Sequence, residues 1–179
     1  MLFRSQLKPR YVASGKPIAN TWGFEMIDLM SLMAFNAAYA EAIDSDQLER
    51  WPDFFTPDAQ YRVTHVENEQ QGLPAGLVWA DSRAMLEDRV AALREANIYE
   101  RQRYRHLLGI PVLHSADAQT AIASTPFMVA RIMAHGETVL FATGCYRDRF
   151  AYTNGQLRLA ERVAVCDSTV TDTLMALPL

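Results

Sequence analysis

The stretch REANIYERQRYRHLLG, residues 94–109, sets Arg94, Arg101, Arg103 and Arg105 around Tyr99, Tyr104 and His106. These residue types suit three chemistries: guanidinium groups for the phosphates of a nucleic acid, a histidine beside phenols for proton transfer, or an arginine-rich surface for another protein. The whole chain argues against the first. Asp and Glu number 21 against 17 Lys and Arg, a formal net charge of −4, whereas affinity for a polyanion comes mostly from excess cations facing phosphates. Arg101, Arg103 and Arg105 lie two apart, so on a strand they share one face, and Tyr104, His106 and Leu108 share the other. The cationic face is then either solvated, with exposed ion pairs that contribute little, or a docking surface, since arginine is favoured where interfaces bury hydrogen-bonded charge. Composition leaves both open.

A second set could do acid–base chemistry if the fold brings it into one hollow: Asp53, Tyr61, His65 and His106. The competing reading makes Tyr61, His65, Tyr104 and His106 lining residues of a core, whose polar ends need only a hydrogen-bond partner. No further group in the sequence completes a set of catalytic roles. Metal chemistry has less support still. His65, His106, His114 and His135 are scattered, with no HExxH, CxxC or Cys-x-His pair, and zinc and iron sites need clustered ligands. Cys145 and Cys166 fit neither an iron–sulfur centre nor a nucleophile elbow. Two thiols without framework spacing suit a reducing cytosol. Glycine-rich phosphate loops are missing as well.

The elements that must position these residues follow from period and punctuation. At 179 residues, half of them apolar, the chain reads as one globular domain. Residues 1–25 read differently, as a basic arm punctuated by Pro9, Gly15, Pro17 and Gly23, either poorly ordered or upstream of an internal start at Met26. Neither this arm nor LMSLMAFNAAYA offers a secretory h-region or the roughly 20 apolar residues of a membrane span. The expectation is a cytoplasmic chain without nucleic-acid or membrane partners.

From Met26, Leu29, Leu32, Phe35, Tyr39 and Ile43 recur at helical spacing. A second helix is expected at DQLERWPDFF, capped by Asp46 with Glu49 and broken by TPDAQ. YRVTHV alternates as a strand, ENEQQGLPAG reads as a loop, and DSRAMLEDRVAALREAN reads as a third helix behind an Asp81 cap, with Leu86, Val90 and Leu93 as its apolar stripe. Four strand-like runs follow, RYRHLLGIPVL, AIASTPFMVARIMA, TVLFATGCYRDRFAY and LRLAERVAVCD, and Asn154-Gly155 marks a tight hairpin. Helices first and an antiparallel meander last make an α+β fold, N-terminal helices wrapped by a curved sheet that encloses a cone.

In order and spacing, the segments AYAEAIDSDQLERWPDFFTPDAQYRV, RVAALREANIYERQRYRHLLGIPVL and LRLAERVAVCDSTVTDTLMALPL resemble the small (beta) subunits of aromatic-ring-hydroxylating dioxygenases, over residues 26–179. Within that family, FNAAYAEAIDSD, NIYERQRYRH and AVCDSTVTDTLMALPL look nearest to members of oxygenases for aromatic carboxylates, terephthalate first and salicylate next. The resemblance implies a cone-shaped NTF2-like domain of the cystatin-like kind, with a mixed, mostly antiparallel sheet. It implies a subunit without a catalytic residue, metal or cofactor of its own, three copies lying against one another beneath three large alpha subunits. Those would carry a Rieske 2Fe-2S cluster and a mononuclear Fe(II), and a reductase would act on the complex. Arg101, Arg103 and Arg105 would then belong to an assembly surface, with Tyr61, His65, Tyr104 and His106 lining the cone. The alternative left standing is a free dehydratase or isomerase working in the cone.

Overall fold

The computed structural model describes residues 27–74, 76–96, 100–170 and 175–179; the proposed arm, residues 1–25, lies outside them. The first helix, α1 (Leu29–Asp44), starts on a reciprocal cap. The Asp28 carboxylate accepts from Ser31 N at 2.8 Å, and Ser31 Oγ accepts from Asp28 N at 3.1 Å. Leu32, Tyr39 and Ile43 are buried on its inner face, as their spacing requires, and Asn36 is buried with them.

The expected second helix is a 3₁₀ segment, Leu48–Phe54, and no side chain caps it. Asp46 sits instead at a φ of 58° after α1, where it and Glu49 both bind Arg94, at 2.8 and 2.7 Å. The three-residue spacing that suggested a capping box therefore serves an arginine arriving from another helix. Nor does TPDAQ break the structure, because it lies within strand β1 (Phe55–His65). Pro57 is tolerated there because the register against the neighbouring strand shifts between Phe55 and Gln60, a place where no ladder N–H is needed. Part of the expected loop ENEQQGLPAG is a short helix, α2 (Val66–Gln70).

Strand β2 (Val78–Ala80) leads into α3 (Arg83–Glu95), which is capped by Ser82 rather than Asp81 and buries Leu86, Val90 and Leu93. RYRHLLGIPVL divides into β3 (Gln102–Leu108) and β4 (Val112–Ala116), both of which pair with β5 (Thr120–Met133). Strands β6 (Thr138–Thr153) and β7 (Gln156–Cys166) complete the sheet, joined at Asn154 and Gly155, with φ of 54° and 75°. Both angles suit the mirror-image turn that matches strand twist.

The order is β2-β1-β7-β6-β5-β3, with β4 also on β5. Among the described residues only β1 and β7 run parallel, so the sheet is mixed and mostly antiparallel. Register shifts at Val129/Ala130 in the β5–β6 pair and at Arg149/Phe150 in the β6–β7 pair bend the long strands. The curved sheet closes on α1, α3 and the 3₁₀ segment, around a core of Leu32, Tyr39, Trp51, Phe55, Tyr146 and Phe150. No helix among the described residues is long and apolar enough to cross a membrane.

Gly144 lies where β6 meets the core. A Cβ there would overlap the Val165 carbonyl oxygen and lie 2.9 Å from Phe127 Cζ. Gly144→Ala is expected to lower stability by about 1–3 kcal/mol, the usual cost of overpacking, as read from the midpoint of urea unfolding. Gly136→Ala, at an open turn, gives the smaller loss expected of a positive φ alone.

Candidate functional site

The cone interior holds a buried ion pair. Arg162 of β7 stands opposite Asp148 of β6, and both side chains are wholly buried. The pair is bidentate: Nε donates to Oδ1 at 2.8 Å and Nη2 to Oδ2 at 2.7 Å. Nη2 also donates to Asn36 Oδ1 at 2.7 Å, and Asn36 Nδ2 donates to Thr125 Oγ1 at 3.1 Å. Tyr39 and Tyr146 cover the guanidinium on two sides, each ring centroid 4.1 Å from Cζ. Burial opposes the charge on Arg162, but the Asp148 carboxylate outweighs it and moves the pKa up; burial also pushes Asp148 up, with Arg162 pulling against it. A guanidinium does not deprotonate in proteins, so the pair is ionic.

Beside it, the last residues of the sequence fill the cone. Met175, Ala176, Leu177 and Leu179 are buried. Tyr39 and Tyr61 donate their hydroxyls to the Leu179 carbonyl at 2.8 and 3.1 Å, and Leu179 N donates to the Tyr61 hydroxyl at 3.1 Å. Trp51 Nε1 donates to Tyr39 at 2.9 Å, and Arg89 Nη2 holds the Met175 and Ala176 carbonyls at 2.8 and 3.2 Å. The Tyr39 and Tyr61 hydroxyls are thus occupied by backbone.

The possible acid–base set is not brought together as one site. Tyr61 and His65 stand on β1, His106 on β3, and β7, β6 and β5 lie between. Asp53 points outward and pairs with Arg83. His106 has a partner the sequence reading missed. Asp44, at the end of α1, accepts from His106 N at 2.9 Å, and its other oxygen is 2.6 Å from Nδ1, which latches α1 to β3. Tyr104 is buried and packs on Phe141 at 5.1 Å. His65 is half-buried at the start of α2.

The arginines divide. Arg103 and Arg105 project from the outer face of β3, whereas Arg101 precedes the strand. Arg101 and Arg103 line a hollow of about 350 Å³ with Asp44, Asp46 and Arg94. Arg105 Nη1 lies 3.6 Å from Asp44. A larger hollow, about 560 Å³, opens on the outer sheet face between Arg62, His114, Cys145, Arg147 and Glu161. Among the described residues no three His, Cys, Asp or Glu side chains gather as metal ligands. Cys145 faces outward, while Cys166 is buried, and burial pushes its thiol up to about 11. This donor set does not fit an iron–sulfur cluster.

Known proteins add the context. The SnoaL-like domain family matches residues 26–163. The terminal oxygenase component subunit beta 1 of terephthalate 1,2-dioxygenase from a Comamonas species is 65% identical over 154 residues, 86% of this chain and all of that one. The small subunit of anthranilate 1,2-dioxygenase from Burkholderia cepacia is 36% identical, across 79% of this chain and 88% of that one. A crystal structure from Novosphingobium aromaticivorans, described as the beta subunit of an aromatic-ring-hydroxylating dioxygenase, superposes with a TM-score of 0.78 at 38% identity, covering 84% of this chain and 96% of that one.

The interior yields two expectations. Asp148→Ala strands a buried cation and lowers stability by about 3–5 kcal/mol, whereas Asp148→Leu with Arg162→Met costs less than either single change; a double-mutant cycle by chemical denaturation reads the difference. Burial raises the pKa values of Tyr39, Tyr61 and Tyr146. Their contribution is therefore complete below the unfolded value of about 10 and is lost as pH rises toward the folded values. Ultraviolet titration should show these phenols ionising only together with alkaline unfolding.

Proposed function

The chain belongs to the SnoaL-like family and, within it, to the small (beta) subunits of aromatic-ring-hydroxylating dioxygenases, and from that premise we propose that it serves as the non-catalytic subunit of a terminal oxygenase for an aromatic carboxylate, terephthalate. The observation that carries this reading is the filled cone. The ion pair Asp148–Arg162, the aromatic rings around it and residues 175–179 occupy the volume in which a ring-shaped substrate would sit. A subunit that supports assembly can pack its interior as a core.

In this reading the partner is a large alpha subunit, three of each forming the oxygenase in the cytoplasm, supplied with electrons by a reductase. The Rieske 2Fe-2S cluster and the mononuclear Fe(II) belong to that large subunit, and the iron supplies oxygen activation for cis-dihydroxylation of the ring. Terephthalate as the substrate rests on the 65% relative, and the wider class of aromatic carboxylates on the anthranilate one. The competing reading, a free dehydratase or isomerase, draws on one feature: the buried His106–Asp44 pair, whose Nε2 has no hydrogen-bond partner among the described residues.

One comparison separates the two. In the assembled oxygenase, His106→Ala should retain turnover per iron within about two-fold while lowering the stability of this subunit by about 1–3 kcal/mol, the cost of an orphaned buried partner. A variant that assembles normally yet loses turnover by about a hundred-fold would make the His106–Asp44 pair catalytic and end the subunit reading.

A further inference from the structure

The chain leaves the sheet at Cys166, is exposed from Asp167 to Val170, and is buried again from Met175. Residues 175–179, Met-Ala-Leu-Pro-Leu, lie inside the cone without joining a helix or a strand. Among the described residues no backbone–backbone hydrogen bond reaches them. Their hydrogen bonds run instead to three side chains on three elements: Tyr39 of α1, Tyr61 of β1 and Arg89 of α3. This is how a protein holds a ligand, by a few placed polar groups in a concave, largely apolar site.

The groups that hold the segment are braced by contacts of their own. Trp51 packs edge-on against Tyr61 and Phe55, with ring centroids 5.2 and 5.6 Å apart, and Tyr39 against Phe54 at 5.5 Å. Trp51 Nε1 donates to the Tyr39 hydroxyl, which leaves the phenol proton for the Leu179 carbonyl. The Tyr61 hydroxyl both gives a hydrogen bond to Leu179 and takes one from it. The clamp is therefore preorganised, which lowers the cost of binding. Pro178 works in the same direction from the other side, since its φ is fixed and it has no N–H to satisfy.

We infer that the cone is a peptide-binding site and that residues 175–179 are its ligand, docked from the same chain and separable from the rest of the fold. The ligand class is a short apolar peptide. Its backbone presents one carbonyl to Tyr39 and Tyr61 and two to Arg89, and its leucine side chains enter the interior. A ligand tethered to its own site meets it at an effective concentration far above that of a free molecule. The tether thereby keeps the cone closed to other occupants. The inference goes beyond the subunit reading and does not draw on it, since only groups of this chain enter the argument.

The test starts from the full chain. A protease recognition sequence is inserted after Val170, which is 75% exposed, and the folded protein is cut there. The fragment carrying residues 175–179 should stay bound after the cut, leave on dilution, and be displaced by added Met-Ala-Leu-Pro-Leu peptide. A peptide of the same composition in another order should not displace it at the same concentration. The emptied chain should keep its circular dichroism spectrum, melt at a lower temperature, and regain the wild-type melting temperature as the peptide saturates it. Tyr61→Phe in the cut chain keeps the ring and removes both hydrogen bonds to Leu179, so it should weaken the peptide by about ten-fold or more. A fragment released only on global unfolding, or an emptied chain that loses its fold, makes residues 175–179 part of the core and overturns the inference. Equal binding of the two peptides, or wild-type affinity in Tyr61→Phe, overturns it too, because the cone would then be a void filled by any apolar segment.

Discussion

A guanidinium taken out of water must be neutralised, and in this fold that requirement falls on Arg162, whose Nη1 is left without a hydrogen-bond acceptor among the described residues. Asp148 supplies the charge from the adjacent strand, Asn36 an oxygen from α1, and Tyr39 and Tyr146 two π faces. Asn36 and Tyr39 come from α1 and Tyr146 and Asp148 from β6, so the arginine fixes how close α1 lies to the sheet. The cost of desolvating two ions is several kcal/mol each, and only excellent geometry offsets it. The consequence is specificity of packing more than stability. Tyr39, pinned over the arginine, also takes a hydrogen bond from Trp51 and gives one to Leu179, so the end of the sequence is held by the same cluster.

The register that makes this pair possible comes from one extra residue. From Thr153 opposite Gln156 the hairpin pairs regularly down to Phe150 opposite Leu159, and then Ala160 has no partner. Beyond it Asp148 faces Arg162, where an unbroken ladder would have set it opposite Glu161. Arg162 turns inward for the same reason, since a one-residue slip exchanges the faces of a strand. A bulge has no reliable sequence mark at an alanine, which is why the pair was illegible although the Asn154-Gly155 turn was plain. The inward alternation of Tyr146, Asp148 and Phe150 was the one available hint of a buried carboxylate.

Other features divide along the same line. Local periodicity made α1, α3 and the two faces of β3 readable, because each depends on residues three or four apart, or two apart, in one element. Pro57 hid the start of β1, as its tolerance depends on a register shift against β7. Asp46 and Glu49 mimicked a cap, but their partner Arg94 comes from α3. Asp44 was read only as part of a helix, and its pairing with His106 needed the contact of α1 with the far edge of the sheet. The acid–base set failed for a topological reason, since Tyr61 and His106 stand three intervening strands apart. The family resemblance, carried by the order of whole segments, survived where the residue-level site did not.

A cone packed by its own side chains leaves the surface to carry function. The central claim is that this chain contributes to oxygen chemistry by assembly and not by a site of its own. Sedimentation of the purified chain mixed with iron-loaded large subunit, with iron and turnover measured across the same fractions, tests it most directly. The account predicts that both follow the heavy complex, in which the two chains are equimolar, and that the slow fractions of this chain alone contain neither. Turnover or stoichiometric iron in those slow fractions would contradict it.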